Sequence, residues 1–394
     1  MTSRSPRKGA RTNPVYTAQL PHYRAQHQRF AAARSQDPDW LVELRAHAIA
    51  RFAELGFPST RLEEWRYTNV ARIAKLALEL VAGETSPEIP QQLGSILDAK
   101  ERPFALLNTA FVSDVAVVTV GRNESQDDIV QLAFESQPGI QHPRVFIRLA
   151  AGSRATVVLD HTSSSTGPGL TNLVVEADVG PNAHLDLVSL QRESDEHFHV
   201  SNVAGRVGRD GHFTANTLTT GGALVRNDLD IVLAEEGAEC DLLGLFIGEG
   251  LRLIDNHTSV DHSMPHCSSR ELYKGILGGQ SRGVFRGRVI VRPDAQKADA
   301  TQSNPNLLLG DGSEIDTKPQ LEIYADDVKC SHGATVGQLD EDALFYLQSR
   351  GIGFDAARTL LTHAFANEIV DALPAAVGSA FQHVIESAVQ AAAR

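Results

Sequence analysis

The sequence predicts a mainly β protein, with a parallel β-helix core flanked by N-terminal and C-terminal helical regions. From residue 142 almost to residue 338, short strand-forming runs follow one another without a helical pattern of about ten or more residues between them. This argues against a sheet built with crossover helices. Within the same stretch, a motif of a turn and two strands recurs at a nearly constant interval, as it does in solenoids.

The N-terminal region, residues 1–141, is predicted to be helical with one short strand unit. Apolar residues recur at helical spacing, and helices are predicted over residues 16–33, 37–56 and 70–81. Alternating apolar residues predict strands in the unit at residues 104–120. The polar stretch at residues 123–137 is interpreted as a helical interlude.

Four copies of the repeat define the β-helix core, residues 142–338. They begin at Gly152, Gly180, Gly208 and Gly237, so successive copies are 28 or 29 residues apart. Each copy offers a glycine for a tight corner and two strands, which together make one coil whose apolar side the next coil buries. A β-sandwich or a double-stranded β-helix barrel could use the same strands, although neither requires a repeat of constant length.

The C-terminal region, residues 339–394, is predicted to be helical. Acidic residues begin its first helix, and Pro374 separates the two that follow. Leu361, Phe365 and Ile369 are four residues apart and form an apolar stripe. Two interpretations are open: the tail caps the end of the solenoid, or the stripe binds a partner.

Charge and cysteine content exclude several classes. The chain has 36 basic and 49 acidic residues and a net charge of −13, so binding to nucleic acid or to an anionic membrane surface is not expected. No apolar run approaches the roughly 20 residues of a membrane span. Cys240, Cys267 and Cys330 form no CxxC pair, so neither a disulfide framework nor a four-thiolate zinc site is predicted. A reducing, cytoplasmic location fits best.

The signatures of common enzymes are missing from the sequence. It has no phosphate-binding loop, GxSxG elbow, HExxH helix or dinucleotide fingerprint. Residues that can bind metal fall into three clusters: His257, Asp261, His262, His266 and Cys267; His197 and His199; and Cys330 and His332. Spacing alone singles out none of them, because a histidine on a strand is more often hydrogen-bonded than metal-bound.

Three long motifs carry a resemblance to a known family. They are EEWRYTNV at residues 63–70, DNHTSVDHSMPHCSSRELYKGIL at 255–277 and DVKCSHGATVGQLDEDALFYLQSRGI at 327–352. Through them the chain resembles the SufB/SufD family of scaffold subunits in the SUF iron–sulfur cluster assembly system, and its KCSHGAT sequence is the SufD-like form. The likeness covers the strand region and the tail well and the first hundred residues loosely.

The resemblance implies a right-handed parallel β-helix without enzymatic activity. It implies pairing with a SufB-like subunit and docking of a SufC-like ABC ATPase on the C-terminal helices, as parts of a SufBCD complex. It also implies that Cys330 and His332 lie at the interface where a nascent cluster forms. A homodimer of the chain alone stays open.

The orientation of this pair is predicted from the strand pattern. Leu321, Ile323 and Ala325 alternate inward, so continued alternation places Cys330 and His332 on the outward face, although a turn at the preceding aspartates could reverse this. An iron–sulfur cluster commonly takes about four protein ligands, and this pair offers two. We therefore expect half of a site, with a transient cluster shared with the partner subunit and none bound tightly by the isolated chain.

A second function class is a carbohydrate-active β-helix, a polyuronide lyase or hydrolase. Asp326, Asp327 and Arg288 would be its candidate residues. Adjacent aspartates in an extended strand point to opposite faces, which makes them a poor cooperating pair. The scaffold hypothesis is therefore preferred.

Overall fold

The computed structural model describes residues 14–81, 83, 89–163 and 167–393. Two parallel sheets face each other and form a solenoid of about eight turns, with helices before and after it. The predicted parallel β-helix is confirmed, and the sandwich and barrel alternatives are excluded by the parallel pairing. No helix in this part of the chain is long and apolar enough to cross a membrane.

The N-terminal region begins with helices that match two of the three predictions. Its helices are α1 (Leu20–Ala32), α2 (Asp39–Leu55), α3 (Ala71–Ala74) and α4 (Pro103–Ala110), with single 3₁₀ turns at Pro14–Tyr16 and Glu63–Trp65. The helix predicted over residues 70–81 is wrong beyond its first turn. After α3 the chain is extended, and Leu80 forms a parallel bridge to Ile140 of the first coils.

The strand unit predicted at residues 104–120 is only half correct. Its second half forms a strand, but its first half belongs to α4, all eight residues of which are buried. A helix that is apolar on every side has no 3.6-residue periodicity, so sequence alone does not distinguish it from a buried strand.

Sheet A forms one wall of the solenoid and contains ten strands in the described part of the chain. They are β1 (Ala116–Val120), β3 (Gly139–Gln141), β4 (Arg144–Leu149), β6 (Gly169–Val179), β8 (His197–Val207), β10 (Leu224–Leu233), β12 (Leu253–His262), β14 (Arg282–Val291), β16 (Glu314–Thr317) and β17 (Gln320–Ile323).

Sheet B forms the opposite wall, with eight strands among the described residues. They are β2 (Ser125–Ser136), β5 (Arg154–Ser163), β7 (His184–Arg192), β9 (His212–Thr219), β11 (Glu239–Gly248), β13 (Ser268–Leu277), β15 (Asp299–Leu308) and β18 (Lys329–Gly337). His184 lies opposite His212, His212 opposite Glu239, and Glu239 opposite Ser268. The register therefore advances by 27 to 29 residues per coil, as the repeat predicts.

The solenoid begins earlier than residue 142. β1 already pairs with β4, and residues 125–136 form strand β2 instead of the predicted helical interlude. β2 is the outermost strand of sheet B, and most of its residues are exposed. Its polar composition reflects this exposure and not a helix.

Apolar side chains fill the solenoid and attach a helical layer to each wall. The interior is a continuous cluster that includes Cys240 and Cys267. On the outer face of sheet A, Phe198 packs in one cluster with Phe52 of α2 and Phe104 of α4. The N-terminal helices therefore cover sheet A.

The C-terminal helices cover sheet B. They are α5 (Glu341–Ser349), α6 (Phe354–Val370) and α7 (Ala375–Ala392). Ile369 of α6 and Ile385 of α7 pack against Leu245 and Ile276 on the outer face of that sheet. The interpretation of the tail as an end cap is therefore wrong, since these helices lie along the side and the residues of β18 remain largely exposed.

Candidate functional site

The last strand of sheet B, β18, carries Cys330 and His332. It pairs with β15 along one edge, and no strand of the described chain pairs with its other edge. Eight of its nine residues are exposed, and only Cys330 is partly buried. The final coil thus presents an open backbone edge, which is a template for a strand of another chain.

Cys330 and His332 share one face of β18, and that face is the inner one. Cys330 is in register with Ala300, and His332 with Gln302. Both of these β15 residues are buried, at 1% exposure, and residues paired in register point to the same side of a sheet. The prediction that the pair faces outward is therefore wrong.

The alternation of inward-facing and outward-facing side chains is interrupted where the chain passes from one sheet to the other. Ala325 is buried as predicted, but Ile323 is 42% exposed. β17 belongs to sheet A and β18 to sheet B, so the bend at residues 326–327 resets which side chains point inward. Cys330 packs partly against the apolar cluster of Ala325, whereas His332 is exposed because no further coil of this chain covers the interior.

The pair can supply a sulfur and a nitrogen ligand at the mouth of the solenoid. Partial burial, together with the Asp299 carboxylate, raises the pKa of the Cys330 thiol. The thiol of the isolated chain is therefore mainly protonated near neutral pH, and a metal ion would have to displace the proton. A thiol that must first lose its proton is suited to metal binding that also requires ligands from a partner.

A buried carboxyl lies two coils further inside the solenoid. Glu271 is in register with Gln302, which is in turn in register with His332. Gln302 Nε2 and Thr258 Oγ1 donate to the same Glu271 oxygen, at 2.6 and 3.0 Å. Burial raises the pKa of Glu271 to about 7. Sequence reasoning missed this residue: Glu271 lies within the motif at residues 255–277, but only the histidines, Asp261 and Cys267 of that stretch were considered as functional candidates.

The structure disperses the largest predicted metal-binding cluster, the five residues from His257 to Cys267. His262 points inward and contacts Ser269 Oγ at 2.8 Å, Cys267 belongs to the interior cluster, and Asp261 pairs with Arg292 outside. His266 lies in a turn, with a φ of 60°. These residues therefore form no common site.

His257 instead joins a buried ionic network beneath the N-terminal region. Arg226 donates to Asp255 at 2.7 Å and lies 3.8 Å over the Trp65 ring. Thr68 donates to Asp255 at 2.5 Å, and His257 Nε2 is 3.0 Å from the same carboxyl group. Trp65 and Thr68 belong to the EEWRYTNV motif, to which the sequence assigned no role. Its structural role is to attach the N-terminal region to sheet A.

The apolar stripe of α6 contacts the solenoid of its own chain. Ile369 is fully buried and Phe365 partly buried in the cluster on sheet B, and Lys274 Nζ donates to the Phe365 carbonyl at 2.9 Å. Leu361 is half-buried. The prediction that the stripe binds a partner is therefore corrected for Phe365 and Ile369, which attach the tail, and it stays a prediction for Leu361. Other apolar side chains of the tail are exposed, namely Phe345 (73%), Tyr346 (57%), Phe354 (50%) and Leu360 (50%).

The candidate residues of a carbohydrate-active site have separate partners. Asp327 pairs with Lys297, and Arg288 lies 3.8 Å from Glu322. Nothing in this arrangement supports an acid–base pair.

His197 and His199 face the interior near the start of β8. This follows because they have the same parity as Val203 and Val207, which lie in the interior cluster. The prediction that the two histidines share a face is confirmed.

Comparison with known proteins agrees with this architecture. Residues 132–365 match the family model described as the SufBD core domain of the SUF system for FeS cluster assembly, and residues 18–81 match the SufBD protein N-terminal region. An iron–sulfur cluster assembly SufBD family protein of Synechocystis is 30% identical, over 85% of this chain and 88% of its own length. The iron–sulfur cluster assembly protein SufD of Escherichia coli is 30% identical, over 82% and 87%. A SufBD family protein of Mycobacterium leprae is 31% identical, over 79% and 85%.

The match to the core model alone covers more than half of the chain, and the relatives align over most of their own lengths. The resemblance expected from the three motifs is thereby confirmed. This chain belongs to the SufBD family of the SUF iron–sulfur cluster assembly system.

Proposed function

We propose that this chain is a non-catalytic scaffold subunit which pairs with a SufB-like subunit in the cytoplasm and holds half of the site where an iron–sulfur cluster forms. The observation that carries the proposal is the open edge of β18, which bears a thiol and an imidazole beside a free strand edge. An exposed edge invites strand addition by a partner. We place a second subunit of the same family, the SufB-like subunit, at this edge.

The cluster is the cargo of this assembly and not a resident cofactor. Cys330 would supply a thiolate and His332 a neutral imidazole, which is two of the about four ligands that such a cluster commonly takes. The partner would supply the others across the interface. The raised pKa of the Cys330 thiol supports this dependence, because the isolated thiol is a poor ligand until a metal competes for its proton.

The C-terminal tail is the proposed docking site for a SufC-like ABC ATPase. Its stripe on α6 is occupied by sheet B, so we place the docking surface on α5 and the start of α6. There Phe345, Tyr346, Phe354 and Leu360 are each at least half exposed. Such a surface can contribute binding free energy once a partner covers it.

Pairing is tested by placing a charge on the free edge. Co-expression with SufB-like and SufC-like subunits, followed by size-exclusion chromatography with light scattering, should give a heteromeric complex. Val336 on β18 is 51% exposed, and Val117 on β1, at the opposite end of the solenoid, is 46% exposed. We expect Val336→Glu to abolish pairing with the SufB-like subunit and Val117→Glu to leave it intact.

Two results would contradict the proposal. One is a complex that forms equally well with Val336→Glu. The other is a wild-type chain that elutes only as a monomer or a homodimer in the presence of both partners.

A further inference from the structure

Three buried side chains meet inside the early coils, at the corner where strands of sheet B lead into sheet A. They are His161 at the end of β5, Glu193 in the turn after β7 and His199 near the start of β8. Their potential ligand atoms all lie within 4.8 Å of one another. The side chains of Glu193 and His199 are 0% exposed, and His161 is 0% exposed as a residue.

Much of the hydrogen-bonding capacity of this group is unused. Neither ring nitrogen of His161 has a hydrogen-bond partner within the described ranges, and the same holds for Glu193 Oε2. Arg192, the cation beside Glu193 in sequence, is paired with Asp160. Polar groups and charges buried without partners are costly and therefore rare in folded proteins. An unseen ligand at this corner would satisfy both groups at once.

Neighbouring contacts already orient the three side chains. His199 Nδ1 is 2.7 Å from Glu193 Oε1, and Gln191 Nε2 is 3.2 Å from His199 Nε2. The ring of His161 stacks on Phe134, with centroids 4.8 Å apart and planes 12° apart. The first contact joins two of the three side chains themselves, and the contacts with Gln191 and Phe134 come from residues around them, which fix ligand orientation in metal sites.

We propose that His161, Glu193 and His199 bind one divalent transition-metal ion, Zn²⁺ or Fe²⁺, at this corner. Two imidazoles and one carboxylate are a ligand set that both ions accept. Ligand atoms around tetrahedral zinc lie about 3.4 Å apart, whereas these atoms lie within 4.8 Å of one another, and His199 would exchange one of its two hydrogen bonds for the ion.

This site is separate from the proposed half-site for the cluster. His161 lies on β5 and Cys330 on β18, and five strands of sheet B separate them. The inference therefore does not depend on the proposed scaffold function. The sequence pointed to His199 through HFH, but it gave no signal for His161 or Glu193, which the coils bring together from distant positions.

The test uses the full-length chain, stripped with a chelator and titrated with Zn²⁺ or, anaerobically, with Fe²⁺ against a chromophoric competitor. We expect one equivalent to bind, and to bind equally in a Cys330→Ser, His332→Ala background. Glu193→Gln and His199→Gln should weaken binding at least tenfold. His262→Gln is the matched control, because His262 is also a buried interior histidine and its Nε2 lies 2.8 Å from Ser269 Oγ, away from the three proposed ligands.

A Co²⁺ spectrum guards against variants that merely fail to fold. The wild-type chain should show visible d–d bands of a nitrogen- and oxygen-ligated ion, and Glu193→Gln, checked by circular dichroism, should lose them. A wild-type chain without these bands, or one that retains no equivalent of metal against the competitor, would overturn the proposal. So would equal binding by the folded Glu193→Gln variant.

Discussion

Glu271 is a carboxyl group placed where its charge is costly. It lies inside the solenoid, 1% exposed, and its Oε1 has no hydrogen-bond partner in the part of the chain described. Burial raises its pKa from 4.5 to about 7. Because the folded-state pKa exceeds the unfolded value, the protonated group stabilises the fold. This contribution is fully present below about pH 4.5 and is lost as the pH rises through 7.

Glu271→Gln should remove this pH dependence, because glutamine resembles the neutral acid. At pH 8 we expect its free energy of unfolding to exceed that of the wild type by about 3 kcal/mol. Near pH 5 the two should be similar. Urea unfolding at both pH values measures the difference, and Glu341→Gln, at an exposed position of α5, serves as the control. A constant difference between the two pH values would contradict the assignment.

Arg226 is a buried cation whose removal leaves carboxylates without compensation. Its side chain is 2% exposed and pairs with Asp228 and Asp255. Breaking a buried pair by removing one partner typically costs about 3–5 kcal/mol, and we expect this loss for Arg226→Met in urea unfolding. Arg209→Met removes an exposed pair with Glu236 and should leave the free energy of unfolding nearly unchanged, because water screens such a pair. Equal losses in the two variants would show that the network does not anchor the fold.

At the scale of single elements, the proposed function gives the C-terminal helices two tasks on different faces: packing on sheet B and docking an ATPase. Ile369→Ala should destabilise the protein by about 2–5 kcal/mol, because Ile369 is buried against sheet B. Phe345→Ser should change stability by no more than about 0.5 kcal/mol, since Phe345 is 73% exposed. Of the two variants, only Phe345→Ser should fail to capture a SufC-like ATPase in a pull-down, although its stability is unchanged. Wild-type capture by Phe345→Ser would place the docking surface elsewhere.

Helices and strands were predicted correctly where the hydrophobic periodicity was clear. The predictions were wrong where a helix is buried on all sides or a strand is largely exposed. α2 matches its predicted helix closely. α4 is buried on all sides and β2 is exposed along most of its length, so neither shows the pattern of its type. The predicted orientation of Cys330 was wrong for a different reason. The alternation of inward-facing and outward-facing side chains does not continue through a corner from one sheet to the other.

At the scale of the whole molecule, the repeat predicted the solenoid because each coil must match the length of the next to stay in register. The helical layers on the two walls were not predictable, since a stripe such as that of α6 shows that a face is apolar but not what covers it. That His161 and Glu193 lie close together could not be predicted from the sequence either. Their proximity comes from the stacking of coils and not from spacing along the chain.

The two walls are covered by helices, while the last coil ends in an open strand. The first coil is open as well, since β2 is the outermost strand of sheet B and most of its residues are exposed, so it is Cys330 and His332 on β18 that set the last coil apart. Under the proposed function, Cys330 and His332 are this chain's ligands at that end, and a partner adds the others.

The most direct test of this account is cluster loading of the assembled complex. The complex is reconstituted anaerobically with iron and sulfide, and iron per complex and visible absorbance are measured. Cys330→Ser, His332→Ala should form the complex and lose most of the iron and absorbance, whereas Ser331→Ala, at an exposed position between them, should load like the wild type. Unchanged loading in the double variant within an intact complex would contradict the account.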